Sequence, residues 1–344
     1  MTASPLSALG MTTPILAAPM AGGPSTPELV VAAAQSGGLG FLAGGLRTAQ
    51  TLADQIAKVR CAEVSFGVNL FAPNPVPIDP QEFRSYAQLI TNEGTRYGLD
   101  LDAAQIIEDD DLWDDKLELL LTNPVPLVSF TFAIPPPQVI QTLRKTGTLV
   151  AQTVTSRDEA RLAADAGADV LIVQASAAGG HSGTLTPQRL PADIPLSELL
   201  GQIQAAVSLP LIAAGGIATP GAVVSALRAG AIATAVGTVL LRAEEAGTTM
   251  AHRAALADPA RDTTVLTRAF TGRPARALRN QFTDRYSSAA PNGYPALYHL
   301  TSPLSKAAAA ANDPEHLPLW AGTGYRYATA EPATTILTRL ARHL

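Results

Sequence analysis

Short apolar runs rich in Val, Ile, Leu and Ala recur along the chain, each followed by a stretch with helical periodicity and helix punctuation. Strands are expected near residues 14–20, 39–44, 64–70, 127–132, 148–154, 169–174, 210–214 and 233–236. These runs are nearly continuous in hydrophobicity rather than alternating, as parallel strands buried on both faces require. Between them, Ser25-Thr26-Pro27-Glu28 and Thr219-Pro220 offer a cap followed by proline at the first helical position, and Ser156-Arg157-Asp158-Glu159 has the capping-box pattern. Gly37-Gly38, Gly167 and Gly230 stand where a left-handed residue would end a helix before the next strand. Outside two longer gaps a βα unit recurs about every 20 to 25 residues. Eight such units argue for a closed (β/α)₈ barrel of the TIM type rather than an open sheet.

The first gap, residues 72–123, opens with Pro73-Asn74-Pro75-Val76-Pro77 and later carries Glu108-Asp109-Asp110-Asp111, read as a solvated helix start. The second, between the sixth and seventh strands, holds a glycine-rich loop with a histidine. About a hundred residues follow the last strand, more than a closing helix needs. Tyr286, Tyr294, Tyr298, Tyr325, Tyr327 and Trp320 all fall in that tract, whereas the expected strands contain neither Tyr nor Trp. The resulting division is a barrel over residues 1–75, 106–242 and 322–344, and a smaller substrate-binding or lid region over 76–105 and 243–321.

Composition narrows the functional classes. A net charge of −5 without a basic run or a zinc-finger spacing argues against a nucleic-acid partner. Cys61 is the only cysteine, so no intramolecular disulfide can form and a cysteine metal site is not expected. No signal-peptide pattern and no apolar run of membrane-spanning length is present, so a soluble cytoplasmic protein is the simplest expectation.

The chemistry is expected at the C-terminal ends of the strands, where barrels build their sites. Glycines and amides gather there: Met20-Ala21-Gly22 after the first strand, Asn69 in the third, and Gln174 before Ala178-Gly179-Gly180-His181 in the sixth. Gly215-Gly216 and Gly237-Thr238 follow the last two strands. Glycine at those two ends lets backbone N–H groups approach a phosphate, and the segment from Thr238 through Ala246 is expected to begin a helix whose first amides point at it. A dinucleotide-like string, Gly38-Leu39-Gly40-Phe41-Leu42-Ala43, is rejected because a helix precedes it and a strand follows, the reverse of what that motif needs. Of five histidines, His252, His299, His316 and His343 lack a glycine-rich frame and suit packing or surface roles. His181 lies in a loop too lean in side chains to bury it, where an imidazole is expected to titrate near neutral pH and act as acid or base on a bound substrate. No Ser-His-Asp set, H-E-x-x-H string or clustered ligand set is found, which favours a cofactor that brings its own reactivity.

Several strings together resemble the nitronate monooxygenases, formerly 2-nitropropane dioxygenases, in their bacterial class I form. They are Pro14-Ile15-Leu16-Ala17-Ala18-Pro19-Met20-Ala21-Gly22-Gly23, Phe66-Gly67-Val68-Asn69-Leu70-Phe71, Ala178-Gly179-Gly180-His181, Ala213-Ala214-Gly215-Gly216-Ile217 and Phe270-Thr271-Gly272-Arg273-Pro274-Ala275-Arg276. The resemblance implies non-covalent FMN across the barrel mouth and oxidation of an alkyl nitronate by O₂ to a carbonyl compound and nitrite. It further implies that Met20 lies beside the flavin through its backbone and that Asn69 and Gln174 hydrogen-bond its ring. Gly179, Gly216, Gly237 and Thr238 would hold the phosphate, with Gly180, Gly215, Ala235 and Val236 in the same cofactor-binding set. His181 would be the active-site histidine, a base toward a neutral nitroalkane and an orienting group toward a preformed nitronate. Departures from the family pattern are Ala177 in place of an acid, Ser182 in place of arginine, and Gly322-Thr323 in place of Gly-Gln.

Other readings share parts of this pattern. FMN-dependent NAD(P)H reductases of quinones or enoyl thioesters resemble the same N-terminal and Gly-Gly-His strings, but the long aromatic tail favours the monooxygenases. A flavin-free phosphate-binding lyase or isomerase barrel explains the glycines but not Asn69, Gln174 and His181 together. A flavin carrier without turnover has no positive feature.

Overall fold

The apolar runs become the staves of a closed barrel in the computed structural model, which describes residues 5–344. Residues 1–4 of the expected barrel segment lie outside the described residues. In chain order the strands are β1 (Ile15–Ala17), β2 (Leu39–Ala43), β3 (Phe66–Phe71), β4 (Leu127–Thr131), β5 (Leu149–Val154), β6 (Val170–Gln174), β7 (Gly180–His181), β8 (Leu211–Ala214), β9 (Ala233–Val236), β10 (Thr264–Thr267) and β11 (Ala275–Leu278). The barrel order is β1-β2-β3-β4-β5-β6-β8-β9, every pair is parallel, and β9 closes on β1 with Ile15 opposite Thr234. All eight expected strands are present. The first is shorter than the expected 14–20, since Pro19 has no N–H for a ladder and the chain turns beyond Met20. Leu16, Phe41, Leu127, Ile172 and Ile212 fill the barrel interior.

The helices are α1 (Pro27–Gln35), α2 (Ala49–Arg60), α3 (Pro80–Thr95), α4 (Trp113–Thr122), α5 (Pro137–Lys145), α6 (Arg157–Asp165), α7 (Leu196–Gln204), α8 (Pro220–Arg228), α9 (Met250–Ala257), α10 (Gln281–Tyr286), α11 (Ala296–Ala310) and α12 (Ala333–Leu340). Thr26 caps α1 through Leu29 N at 3.0 Å, and Thr219 caps α8 through Ala222 N at 3.2 Å. Ser156 caps α6, but Glu159 does not close the box back onto Ser156. Its carboxylate accepts instead from Thr155 N and Oγ1, Thr184 Oγ1 and Leu185 N, tying α6 to the segment just after His181. Gly40 has a packing role: a Cβ there would stand 2.6 Å from Val30 Cα, so α1 can lie on β2 only over glycine.

A second layer covers one end of the barrel. Phe83, Tyr86 and Ile90 of α3 share a core with Phe270, with Phe282 of α10 and with Leu297, Leu300 and Leu304 of α11. The insertion and the tail, far apart in sequence, therefore form one body. Its buried carboxylate, Glu93, accepts from Arg285, Tyr286 and His316. A three-stranded antiparallel sheet, β10-β11-β7, joins this layer to the loop after β6 and pairs Ala275 with His181.

Two expectations are corrected. The acidic run is only in part a solvated helix start: Glu108, Asp109 and Asp110 are exposed and Asp110 accepts from Trp113 N at 3.4 Å, but Leu112, the residue before α4, has φ 54° and makes no side-chain cap. Asp111 accepts from Leu46 N and pairs with buried Lys116 at 2.7 Å, and Glu108 accepts from Ile78 N. Nor does a helix run from Thr238 to Ala246. A single 3₁₀ turn, Thr238–Leu240, is followed by irregular chain that the Arg253 guanidinium holds through the carbonyls of Arg242, Ala243 and Ala246.

Candidate active site

A cavity of about 470 Å³ opens at the C-terminal ends of the barrel strands, beneath the second layer. That volume suits a bound organic molecule. Met20, Asn69, Gln174, Gly179, Gly180, His181, Gly215, Gly216, Ala235, Val236, Gly237 and Thr238 all line it. Every expected site residue is thus brought to one surface by strands whose ends meet at the mouth.

His181 is the second residue of β7 and stands on the cavity wall. Its Nε2 lies 3.0 Å from Thr271 Oγ1, while Nδ1 makes no hydrogen bond among the described residues. Phe132, Tyr294 and Trp320 surround the ring at centroid distances of 5.6, 5.8 and 5.4 Å. The expectation of an unburied ring titrating near neutral pH is corrected, because the enclosing side chains come from other segments: burial, and then the nearby Arg273 cation, push the imidazole down to about 3, so it is neutral at physiological pH.

The two amides do different work. Asn69 Nδ2 donates to Ser129 O, Ser129 Oγ and Thr131 Oγ1, which fixes the amide and leaves Oδ1 as an acceptor for a ligand. Gln174 accepts from Gly183 N at 2.7 Å and donates to His181 O at 3.2 Å, so it spans the histidine loop and sets its curvature.

The phosphate-type loops have the features of an anion cradle. Gly215 and Gly216 have φ of +105° and +74°, and the N–H groups of Gly179, Gly216 and Gly237 find no acceptor among the described residues. The tail crosses directly above them: Gly322 N donates to Thr238 Oγ1 at 2.9 Å, and Thr323 N donates to Ala177 O at 3.0 Å. Gly322-Thr323 is thus the cross-strap of the cradle. Ala177 sits behind Gly216, 3.1 Å from where a Cβ at that glycine would be. Ser182 is held through its N–H to Pro274 O, with its hydroxyl unpartnered among the described residues.

Several residues on or behind this wall have no mark of their own in the sequence. Thr271 and Arg273 carried no individual signal. Of the tail aromatics, Tyr298 and Trp320 line the cavity and Tyr294 backs His181, whereas Tyr286 and Tyr325 pack elsewhere and Tyr327 is exposed. His252, expected to pack or lie on the surface, is buried on the cavity wall, and burial pushes it down to about 4. Lys306 of α11 is the one Lys, Arg, Asp or Glu side chain on that wall among the described residues.

The donor set fits a flavin. Unpaired backbone donors at the ends of β6, β8 and β9 suit a phosphate, the open Asn69 Oδ1 suits a ring N–H, and the remaining wall is largely apolar. No group of His, Cys, Asp and Glu among the described residues could hold a metal ion. No helix among them is long and apolar enough to cross a membrane.

Comparison with known proteins agrees with this geometry. The family model described as nitronate monooxygenase matches residues 3–342. A Staphylococcus aureus (strain Newman) protein described as "Probable nitronate monooxygenase" is 34% identical over 332 residues, covering 95% of this chain and 93% of the relative. A nitroalkane oxidase structure from Streptomyces ansochromogenes is 43% identical with a TM-score of 0.91, covering 98% of this chain and 97% of that one. FabK from Thermotoga maritima is also similar, at 25% identity and a TM-score of 0.74, covering 97% and 93%. The (β/α)₈ barrel with its glycine cradle and loop histidine is a flavin-dependent oxidoreductase, and the chain belongs to the nitronate monooxygenase family.

Proposed function

We propose that the enzyme binds FMN non-covalently across the barrel mouth and oxidises alkyl nitronates, such as propionate 3-nitronate, with O₂ to a carbonyl compound and nitrite. The observation that carries this reading is His181, held in an aromatic box with Nδ1 free among the described residues, on the same wall as the unpaired donors of the glycine cradle. Gly179, Gly216, Gly237 and Thr238 would hold the FMN phosphate, with Gly180, Gly215, Ala235 and Val236 shaping the same channel. Asn69 Oδ1 would accept from the ring, Gln174 would support the loop beside it, and Met20 would approach through its backbone. FMN held by these residues would supply the redox chemistry between the nitronate and oxygen.

The protein's own contribution is positioning and charge. When Thr271 Oγ1 donates to Nε2, the His181 proton resides on Nδ1, and that N–H can hydrogen-bond to a nitronate oxygen and orient it. When Nε2 carries the proton, Nδ1 has a free lone pair and can act as a base. A ring pushed down to about 3 is a weak base, so this site suits a preformed nitronate better than a neutral nitroalkane. Phe71, Phe132, Tyr294 and Trp320 exclude water around that contact, and the second layer, residues 76–105 and 243–321 in our division, acts as the substrate cover. Small nitronates and O₂ are the partners this reading requires, in the cytoplasm.

The test is a paired assay on the purified protein, which should be yellow. Propionate 3-nitronate and ethyl nitronate are supplied with nitrite and oxygen followed, alongside NADH with a quinone. Nitrite formation with oxygen uptake is expected. Rapid NADH oxidation without nitronate turnover would move the enzyme to the NAD(P)H-dependent quinone or enoyl-thioester reductases, and a colourless protein that FMN cannot reconstitute would end the flavin reading.

A further inference from the structure

Behind His181, away from the cavity surface, lies a cation without a counter-ion among the described residues. Arg273 is fully buried. Its Nη2 donates to Thr184 O, and its guanidinium carbon sits 3.8 Å over the Phe132 ring. Nε and Nη1 have no hydrogen-bond partner among the described residues. One carbonyl and one aromatic face compensate a buried charge only in part. The carboxylate whose field reaches it, Glu159, forms no ion pair with it; both Glu159 oxygens accept from Thr155, Thr184 and Leu185. Arg273 nevertheless remains a cation at neutral pH, since guanidinium does not deprotonate there.

We propose that Arg273 is a specificity-determining residue: its guanidinium is the fixed counter-charge for a monoanion bound at the His181 wall, and it selects that anion over its neutral conjugate acid. The inference rests on the nitronate reading for the identity of the anion, though not for the existence of the charge. Arg273 is not on the cavity wall, so it acts through its field across the His181 and Phe132 rings rather than by contact. Little water intervenes to screen that field, and a charge in such surroundings reaches further than one at the surface. The Arg273 cation, after burial, disfavours a second positive charge on His181, as a cation facing that wall would. The turn Thr271-Gly272-Arg273 thereby delivers both the hydroxyl that orients the imidazole and the charge that decides what can sit beside it. A residue serving only to hold Thr184 would affect all ligands alike.

The test uses the FMN-loaded enzyme and two probes read by the change in flavin absorbance. Nitrate is an inert planar oxyanion, and 2-methyl-2-nitropropane carries a nitro group but no α-hydrogen, so it cannot become an anion. Arg273→Met should weaken nitrate about tenfold or more and leave 2-methyl-2-nitropropane within about twofold. Arg273→Lys, which keeps the charge, should restore most of the nitrate affinity. Parallel weakening of both probes, unchanged nitrate affinity in Arg273→Met, or no nitrate binding in the unmodified enzyme would each overturn the assignment. If Arg273→Met does not fold, Arg273→Gln carries the same comparison with a neutral side chain still able to donate to Thr184 O. Neither probe is turned over, so a failure to oxidise nitronates would sink the proposed function without altering this readout.

Discussion

His181 Nε2 lies 3.0 Å from Thr271 Oγ1, and that hydroxyl is itself 3.3 Å from both the N and the O of Arg273. The imidazole that faces the cavity from the loop after β6 is therefore oriented by a turn ninety residues further along the chain. Thr271→Val keeps the shape and removes the hydroxyl. We expect kcat on ethyl nitronate to fall by about tenfold with KM little changed, and Thr271→Ser to recover most of it. A change confined to KM would remove Thr271 from the reaction step.

For His181→Asn we expect flavin content to be unchanged, because the cradle is built from backbone. Turnover of neutral nitroalkanes should fall by about a hundredfold or more, the usual scale for losing an acid–base group. Turnover of preformed nitronates should fall less. Steady-state rates with nitroethane and ethyl nitronate side by side decide this, and equal rates with the parent enzyme would refute a proton-transfer role.

Lys306 is the single formal charge on the cavity wall among the described residues, and it is exposed at the mouth. Substrates with a second negative group should sense it. Lys306→Ala is expected to raise KM for propionate 3-nitronate by about three- to tenfold, and that for ethyl nitronate much less, because exposed charges contribute modestly.

Gly179 passes so close to the cross-strap that a Cβ would stand 2.4 Å from Gly322 N and 2.6 Å from Ala321 C. Gly179→Ala must push two backbones apart, so we expect loss of bound flavin and a destabilisation of about 1–3 kcal/mol. Gly201→Ala is the internal control. That glycine is inside α7 with nothing within 4 Å of its would-be Cβ, and the change should stabilise by about 0.5–1 kcal/mol. Flavin absorbance and urea midpoints of the two variants should move in opposite directions.

Acid sensitivity follows from two histidines buried as neutral rings. His181 and His252 are pushed down to about 3 and about 4, against about 6.5 in the unfolded chain. Below that unfolded value the unfolded state binds protons that the folded state refuses. Stability should therefore be complete above about pH 6.5 and decline as pH falls toward 4. The slope is up to about 1.4 kcal/mol per pH unit for each ring. Urea midpoints between pH 7 and 4 should flatten measurably in His252→Gln.

Legibility in the sequence followed the range of the interaction. Strands such as Val170–Gln174 and caps such as Thr26 are set by neighbours within a few residues, so apolar runs and cap-proline pairs locate them. The glycine cradle could be read for the same reason, since each glycine answers to its own strand end. Thr271, Arg273 and Trp320 could not, because their meaning comes from pairing β11 with β7, and no local pattern announces which tail strand will meet His181. Glu159 misled for a related reason. Its capping-box spacing is real, but Thr155, Thr184 and Leu185 offered its carboxylate better-placed donors than Ser156 N. The acidic run before α4 keeps Asp110 at the helix start, while Asp111 and Glu108 add tertiary partners in Leu46, Lys116 and Ile78 that no local pattern announces.

The shared core of α3 and α11 also sets a timetable for the ribosome. Phe83, Tyr86 and Ile90 emerge early, yet their partners Phe270, Phe282, Leu297 and Leu304 are translated only near the end. Until then α3 holds an apolar face with nothing to cover it, while the barrel strands from β1 through β9 can already close. Synthesis arrested between β9 and Phe270 should yield a ring of strands without a roof, prone to aggregate through α3, and a substrate chamber would exist only once the last quarter of the chain has been made.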